Sequence, residues 1–334
     1  MKSPDHTMPQ NITFKNEPKV VTHESDKESN ERRLALVPKV KAFLETDAFF
    51  KGKEIQVEFS HAGVSSLVSF IEAGDEKFVL KFPLANRPKE GEAEFLKVWE
   101  SAGVAVPHVI EDGKFQDRPY VLMDFVNAAL LSDAMKKMDK EQRHALSIQN
   151  GRTLQMMHMP KAQGFGEIYE GKPINNDFKE WIVSDDIKKK ILLTQENNIL
   201  SEEHGSLSKV LDILVEYAEQ NPDSRYCHFD YGSDNMLATD PPTIIDPNPM
   251  LNLGIMDMAR SMLLQSSQDG NPNSGETFAE GYFSEGNEVA PKVLQAAIIL
   301  NGYMKLPYWH KKARTEKIDN VKKYLEATRS KLEK

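Results

Sequence analysis

The spacing of apolar residues changes character near residue 125, and that change constrains the fold more than any other feature. From Ile55 to Phe125 the apolar residues come in short β-rich runs, IQVEF, SLVSFI, KFVLKF, HVIED and RPYVLMDF, separated by Gly, Asp and Asn turn signals. These runs predict an antiparallel sheet. One helix interrupts them: PKEGEAEFLKVWESAG has Pro88 near its start, Glu residues in its first turns, apolar Phe95, Leu96, Val98 and Trp99, and Gly103 as a stop. Beyond Val126 the period approaches 3.6 residues over 131–158, 176–199, 201–220, 255–266, 276–284, 288–302 and 314–332. A chain that is strand-rich and then helix-rich predicts an α+β fold with two lobes, 35–125 and 126–334. At 334 residues it is long enough for two cores.

Residues 1–34 are polar, with few apolar residues spaced for burial, and predict a flexible or loosely packed extension. The stretch LALVPKVKAFLETD that follows predicts a short helix through Leu36, Val40 and Phe43. A formal charge of −9 argues against nucleic acid as a partner and suits cationic small molecules. A lone Cys227 cannot build a disulfide framework, which points to a reducing, cytoplasmic setting. No charge-free run approaches the roughly 18 apolar residues of a membrane helix, and no secretory signal is visible at the N-terminus. The oligomeric state leaves no mark in the sequence.

Only SRYCHFD, NMLATD and PTIID break the helical part with strand character, and they hold the chemistry. His228, Asp230 and Asn235 follow an H-x-D-x-x-x-x-N spacing, and Asp246 closes the strand TIID. Phosphoryl transfer needs such a set: one carboxylate to take or orient the proton of an attacking hydroxyl, and an amide oxygen and second carboxylate to hold Mg²⁺. An isolated H-x-D is equally at home in a surface turn. Lys81 sits inside the apolar strand FVLKFP, where burial of its ammonium demands an anionic partner. Glu92, in the first turn of the next helix, can be that partner. The alternative is that Lys81 faces solvent on an alternating strand.

The order Lys81, Glu92, His228, Asp230, Asn235, Asp246 resembles the protein-kinase-like fold. The segments HFDYGSDNML and IIDP, Asp257 in GIMDMAR, the helix ending GRTLQMMH at His158, and QGFGE are similar to the aminoglycoside phosphotransferase and choline kinase branch, nearest to the hygromycin B type. The resemblance implies a bilobal enzyme with a small sheet lobe and a larger helical lobe. It implies that Asp230 is the catalytic carboxylate and that Asn235 and Asp246 bind Mg²⁺. Lys81 would meet the α and β phosphates of ATP or GTP, with Glu92 holding it. Backbone groups of Asp124 and Val126 would meet the adenine edge, and the turn with Gly63, Ser65 and Ser66 would cover the phosphates. His228 and Asp257 would brace the loop.

Departures from the protein kinases bear on the substrate. The turn HAGVSSLVSF has a single glycine, Asp246 is followed by Pro247, position 232 is Gly, and no activation loop follows. A protein substrate is disfavoured, and Phe229 stands where aminoglycoside kinases often carry Gly. The implied activity is phosphorylation of a hydroxyl on an aminoglycoside-type antibiotic, conferring resistance. Asp269, Glu276, Glu280, Glu285 and Glu288 are candidates to meet ammonium groups, and Tyr308 and Trp309 to stack, although acids on helices are normally solvated. Two rivals stand beside this reading: a housekeeping kinase acting on choline, a sugar or a metabolite, and a nucleotide-binding pseudokinase serving as an interaction module.

Overall fold

The period-2 runs pair as strands, and the alternation decides which side chains are buried. In the computed structural model, residues 11–19, 27–61, 65–84, 90–197, 199–200, 204–269, 275–286 and 288–332 are described. Two units emerge, one of residues 1–97 and 107–127, the other of 98–106 and 128–334.

The first unit is built on strands β1 (Ile12–Phe14), β2 (Ile55–Phe59), β3 (Ser66–Ala73), β4 (Glu76–Pro83), β5 (Val109–Phe115) and β6 (Arg118–Asp124). They form one sheet in the order β1-β2-β3-β4-β6-β5. Ile55, Val57 and Phe59 alternate inward along β2, and Leu67 and Ile71 do so along β3. Helix α1 (Lys27–Thr46) contributes Leu36, Val40, Phe43 and Leu44 to the same core, with Phe50, Phe78 and Phe82. Each such side chain is worth about 1.5–3 kcal/mol when fully buried. Helix α2 (Glu92–Ser101) follows β4. Gln116 and Asp117 both take positive φ, +48° and +65°, the pair that closes a tight hairpin between β5 and β6 with the sheet's own twist.

The polar N-terminus departs from expectation. Strand β1 pairs parallel with β2, Ile12 opposite Ile55. Asn16 grips the same strand, its side chain accepting the Phe59 N–H at 2.7 Å and donating to the Phe59 carbonyl at 2.9 Å. Helix α1 begins seven residues before Leu34 and carries Arg33, fully buried, which donates to the carbonyls of Ser60 (3.0 Å) and Ser66 (3.1 Å). Backbone pairing and one buried guanidinium order a stretch whose composition offers few apolar residues; residues 1–10 and 20–26 lie outside the described ones.

The second unit takes the end of α2 from Val98 and the helices α3 (Leu131–Met135), α4 (Lys140–Met157), α5 (Phe178–Ile182), α6 (Asp185–Glu196), α7 (His204–Gln220), α8 (Gly254–Asp269), α9 (Glu276–Tyr282), α10 (Pro291–Lys311) and α11 (Thr315–Leu332). Strands β7 (Lys161–Ala162), β8 (Phe165–Tyr169), β9 (Lys172–Asn175), β10 (Ser224–Cys227) and β13 (Met250–Asn252) make an antiparallel sheet in the order β7-β10-β13-β8-β9. β11 (Met236–Leu237) and β12 (Thr243–Ile244) make a two-stranded hairpin. The expected helix over 131–158 is cut in two because Asp139 caps α4, its side chain taking the Gln142 N–H while Gln142 reaches back. The stretch 176–199 divides at Ser184, with Asp185 and Asp186 in the first turn of α6. α4 and α9 approach until a methyl at Gly151 would lie 2.1 Å from the Phe278 carbonyl oxygen, so glycine alone fits there.

Candidate active site

The loop after β10 leaves the sheet through two backbone N–H groups that need acceptors. Asp257, fully buried on α8, supplies both: Oδ2 takes the His228 N–H at 2.6 Å and Oδ1 the Phe229 N–H at 2.8 Å. Its charge is shared by His158 at the end of α4, whose Nε2 lies 3.0 Å from Oδ2 and whose Nδ1 lies 2.8 Å from the Tyr282 hydroxyl. With these bonds the loop tolerates Phe229 at φ +55°, a left-handed conformation where glycine would be free. The Phe229 ring is held edge-on by Trp181 and faced by the Arg260 guanidinium 5.6 Å from its centroid.

His228 is fully buried and stacked on Trp99. Its Nε2 donates to the Ile245 carbonyl at 3.0 Å, which leaves Nδ1 to accept the Asp230 N–H at 3.3 Å. Burial pushes its pKa below the ordinary value and keeps the ring neutral. The ring therefore ties the Asp230 turn to the strand that precedes Asp246.

His158, Cys227 and Asp257 also bring a nitrogen, a sulfur and an oxygen within 4.8 Å of one another. Both nitrogens of His158 are already bonded, and burial pushes the Cys227 thiol well up, so the trio suits a brace and not a metal.

Asn235 ends a 3₁₀ turn over Ser233–Asn235. Its Nδ2 donates to the Asp230 carbonyl at 2.8 Å and lies 3.2 Å from Asp230 Oδ2, which fixes the amide and leaves Oδ1 as an acceptor. The Ile245 N–H donates to the Asn235 carbonyl at 3.0 Å, continuing the ladder of β11 and β12. Asn235 and Asp246 are thus brought to one end of a hairpin, Asp246 at φ +52°. An amide oxygen and a carboxylate so placed fit a hard cation such as Mg²⁺.

Asp230 itself is 40% exposed at its side chain. Lys305 on α10, 13% exposed, lies 3.1 Å from Asp230 Oδ1. Burial alone would raise the Asp230 carboxyl; Lys305 and Arg260 outweigh it and hold the group below its usual range. Burial brings Lys305 down to about 8, Arg260 adding to the effect and Asp230 opposing it. Neither cation was singled out from the sequence. The available signal was the one used for Lys81: Lys305 is the sole charge in the apolar run from Val293 to Trp309.

In the first unit Lys81 is buried on β4 and paired with Glu92 at 2.5 Å, not facing solvent. Ser65 is exposed and accepts the Leu84 N–H at its carbonyl, while Ser66 opens β3; Gly63 lies outside the described residues. Asp124 ends β6 and donates its N–H to His108, and Val126 follows, half-buried.

Of the acids offered as candidates to meet a cationic substrate, Glu276 and Glu280 are exposed on α9, Glu285 and Glu288 are exposed between α9 and α10, and the side chain of Asp269 lies outside the described ones. Trp309 is buried and Tyr308 is 48% exposed, its ring centroid 5.2 Å from Lys305 Nζ. A cavity of about 770 Å³ in this unit, touching His158, Tyr217, Arg225 and Tyr282, lies behind the Asp257 brace and contains none of Asp230, Asn235 and Asp246. Among the described residues no helix is long and apolar enough to cross a membrane.

No curated protein matches the chain in sequence. Among solved structures, a thermostable mutant of aminoglycoside phosphotransferase APH(4)-Ia, in ternary complex with AMP-PNP and hygromycin B, is 17% identical with a TM-score of 0.59, covering 86% of this chain and 96% of that one. A choline/ethanolamine kinase family protein from Mesorhizobium loti is 16% identical with a TM-score of 0.55, covering 89% and 94%. These likenesses place a sheet lobe and a helical lobe in the protein-kinase-like fold. The profile of the phosphotransferase enzyme family matches residues 56–285, so the chain belongs to that family, as a kinase that phosphorylates a hydroxyl of a small molecule.

Proposed function

We propose that the chain transfers the γ-phosphoryl group of ATP, or of GTP, to a small-molecule hydroxyl with Mg²⁺ as cofactor, in the cytoplasm. One observation carries this reading: the Asn235 amide is locked onto Asp230 while its carbonyl is tied to Ile245, so a base and two oxygen donors end one hairpin. Asn235 Oδ1 and the Asp246 carboxylate would hold Mg²⁺, which when bound neutralises charge on the phosphates. Lys81 is assigned to the α and β phosphates and Glu92 to holding it. Ser65, Ser66 and Gly63 are assigned to phosphate cover, and Asp124 and Val126 to the purine edge. Asp230 orients the acceptor hydroxyl and takes its proton as the new P–O bond forms and the bond to the β-phosphate oxygen breaks, releasing ADP. Positioning and charge neutralisation supply most of the rate.

For the acceptor, an aminoglycoside-type antibiotic is supported by the formal charge of −9 and by the likeness to an enzyme crystallised with hygromycin B. A housekeeping kinase acting on choline, a sugar or another metabolite is the second reading, and within it an uncharged or acidic metabolite is favoured by Lys305 beside Asp230. Coupled detection of ADP over a panel of acceptors tests the activity, with the Asp230→Ala chain as control. Aminoglycoside susceptibility of cells expressing the chain separates the two acceptors. Binding of Mg-nucleotide without ADP release from any acceptor would turn the reading toward a pseudokinase.

A further inference from the structure

The surroundings of Asp230 are cationic where a polyammonium acceptor would need them acidic. Lys305 reaches the carboxylate from α10, beyond the stretch that the family profile matches. Arg260, on α8, is 8% exposed, and its Nε is buried with no hydrogen-bond partner among the described residues. The acids acting on it are Asp230 and Asp257, and Asp257 already serves two backbone N–H groups and His158. Lys305 is paired with the one available carboxylate, Arg260 has no ion pair with it among the described residues, and a buried donor stands unanswered. A loop with Gly at position 232 brings no cation of its own.

We propose that Lys305 and Arg260 form an anion-accepting site beside Asp230, and that the acceptor carries a carboxylate or phosphate next to its reacting hydroxyl. The anionic group would answer the guanidinium and draw Lys305 partly off Asp230, freeing Oδ1 for the hydroxyl proton. A kanamycin-like acceptor would instead bring ammonium groups against Lys305 and Arg260. The inference rests on the phosphotransferase reading and deepens it by naming the class of acceptor.

The test compares matched acceptors with the full chain, Mg-ATP and ADP detection: glycerate against glycerol, glucose 6-phosphate against glucose, with kanamycin, hygromycin B and choline as cations. The acidic member of at least one pair should have the higher kcat/KM, and the cations should be poor. In Lys305→Met the acidic-to-neutral ratio should fall about 10- to 100-fold, the range of a lost hydrogen bond to a charged group, mainly through KM, and Lys305→Arg should restore most of it. Cations used as well as acids would overturn the proposal, as would an unchanged ratio in Lys305→Met. If no panel member is phosphorylated, calorimetry with malonate decides: saturable binding weakened at least about tenfold in Lys305→Met upholds the site, and equal or absent binding rejects it. Aminoglycoside turnover would sink this inference and leave phosphoryl transfer standing, whereas a chain that neither binds nor consumes Mg-ATP would remove both.

Discussion

The two units hold their polar centres by different means. In the first, a buried ammonium on a strand meets one carboxylate on a helix, Lys81 with Glu92. In the second, the loop bearing Asp230 is held through its backbone, by Asp257 taking two N–H groups and by His228 bridging to Ile245. A side-chain pair can be exchanged for another pair of similar volume without undoing its surroundings. A backbone grip cannot, because the N–H groups remain whatever replaces their acceptor. The first centre should therefore be dispensable for folding and needed for activity, and the second needed for both.

Four experiments break or sharpen that contrast. Asp230→Ala should lower turnover about 10²- to 10⁴-fold while Mg-nucleotide binding by calorimetry persists; unchanged turnover would remove Asp230 from its role. Asp257→Ala leaves two buried N–H groups and His158 without their acceptor and should cost about 3–5 kcal/mol in urea unfolding. A cost near zero would refute the grip. Glu92→Gln should cost about 1–3 kcal/mol, whereas the double change Lys81→Met with Glu92→Leu should return stability to within about 1 kcal/mol and abolish nucleotide binding. A double variant as unstable as the single one would erase the difference between the units.

The smallest effect is one of pH. His228 has a folded pKa below 6.5, so its contribution is complete above that value and is lost as pH falls from about 6.5 toward the lowered one, where the unfolded chain binds the extra proton. The loss is at most about 1.4 kcal/mol per pH unit. Thermal melts from pH 8 to 5 should show it, and His228→Asn should flatten the slope; a parallel slope in the variant would remove His228 as its source.

Much of this was legible in the sequence where side chains speak for themselves. The strand runs from Ile55 to Phe125 fall on β2 to β6 because period 2 is dictated by one-sided burial. Lys81 and Glu92 could be read as partners because a charge inside an apolar strand needs one. Helix breaks at Asp139 and Ser184 were missed although both are residue types favoured at helix starts, since the apolar period continues across them. Lys305 and Arg260 could not be tied to Asp230 from spacing: Lys305 reaches it from α10, 75 positions along the chain, and Arg260 acts on its charge from α8, 30 positions along. The order in residues 12–14 and 27–34 was hidden because it comes from backbone pairing and from Arg33, neither of which hydrophobic patterning detects.

The parallel strand at the start of the chain has a practical side. β1 lies at the border of its sheet, covering a row of β2 amides and carbonyls that would otherwise face water. Proteolytic removal of the first 16 residues would bare that row, leaving its unpaired N–H and C=O groups as a template for a strand of another copy. Shortened preparations should therefore self-associate with rising concentration while their folding cores stay intact.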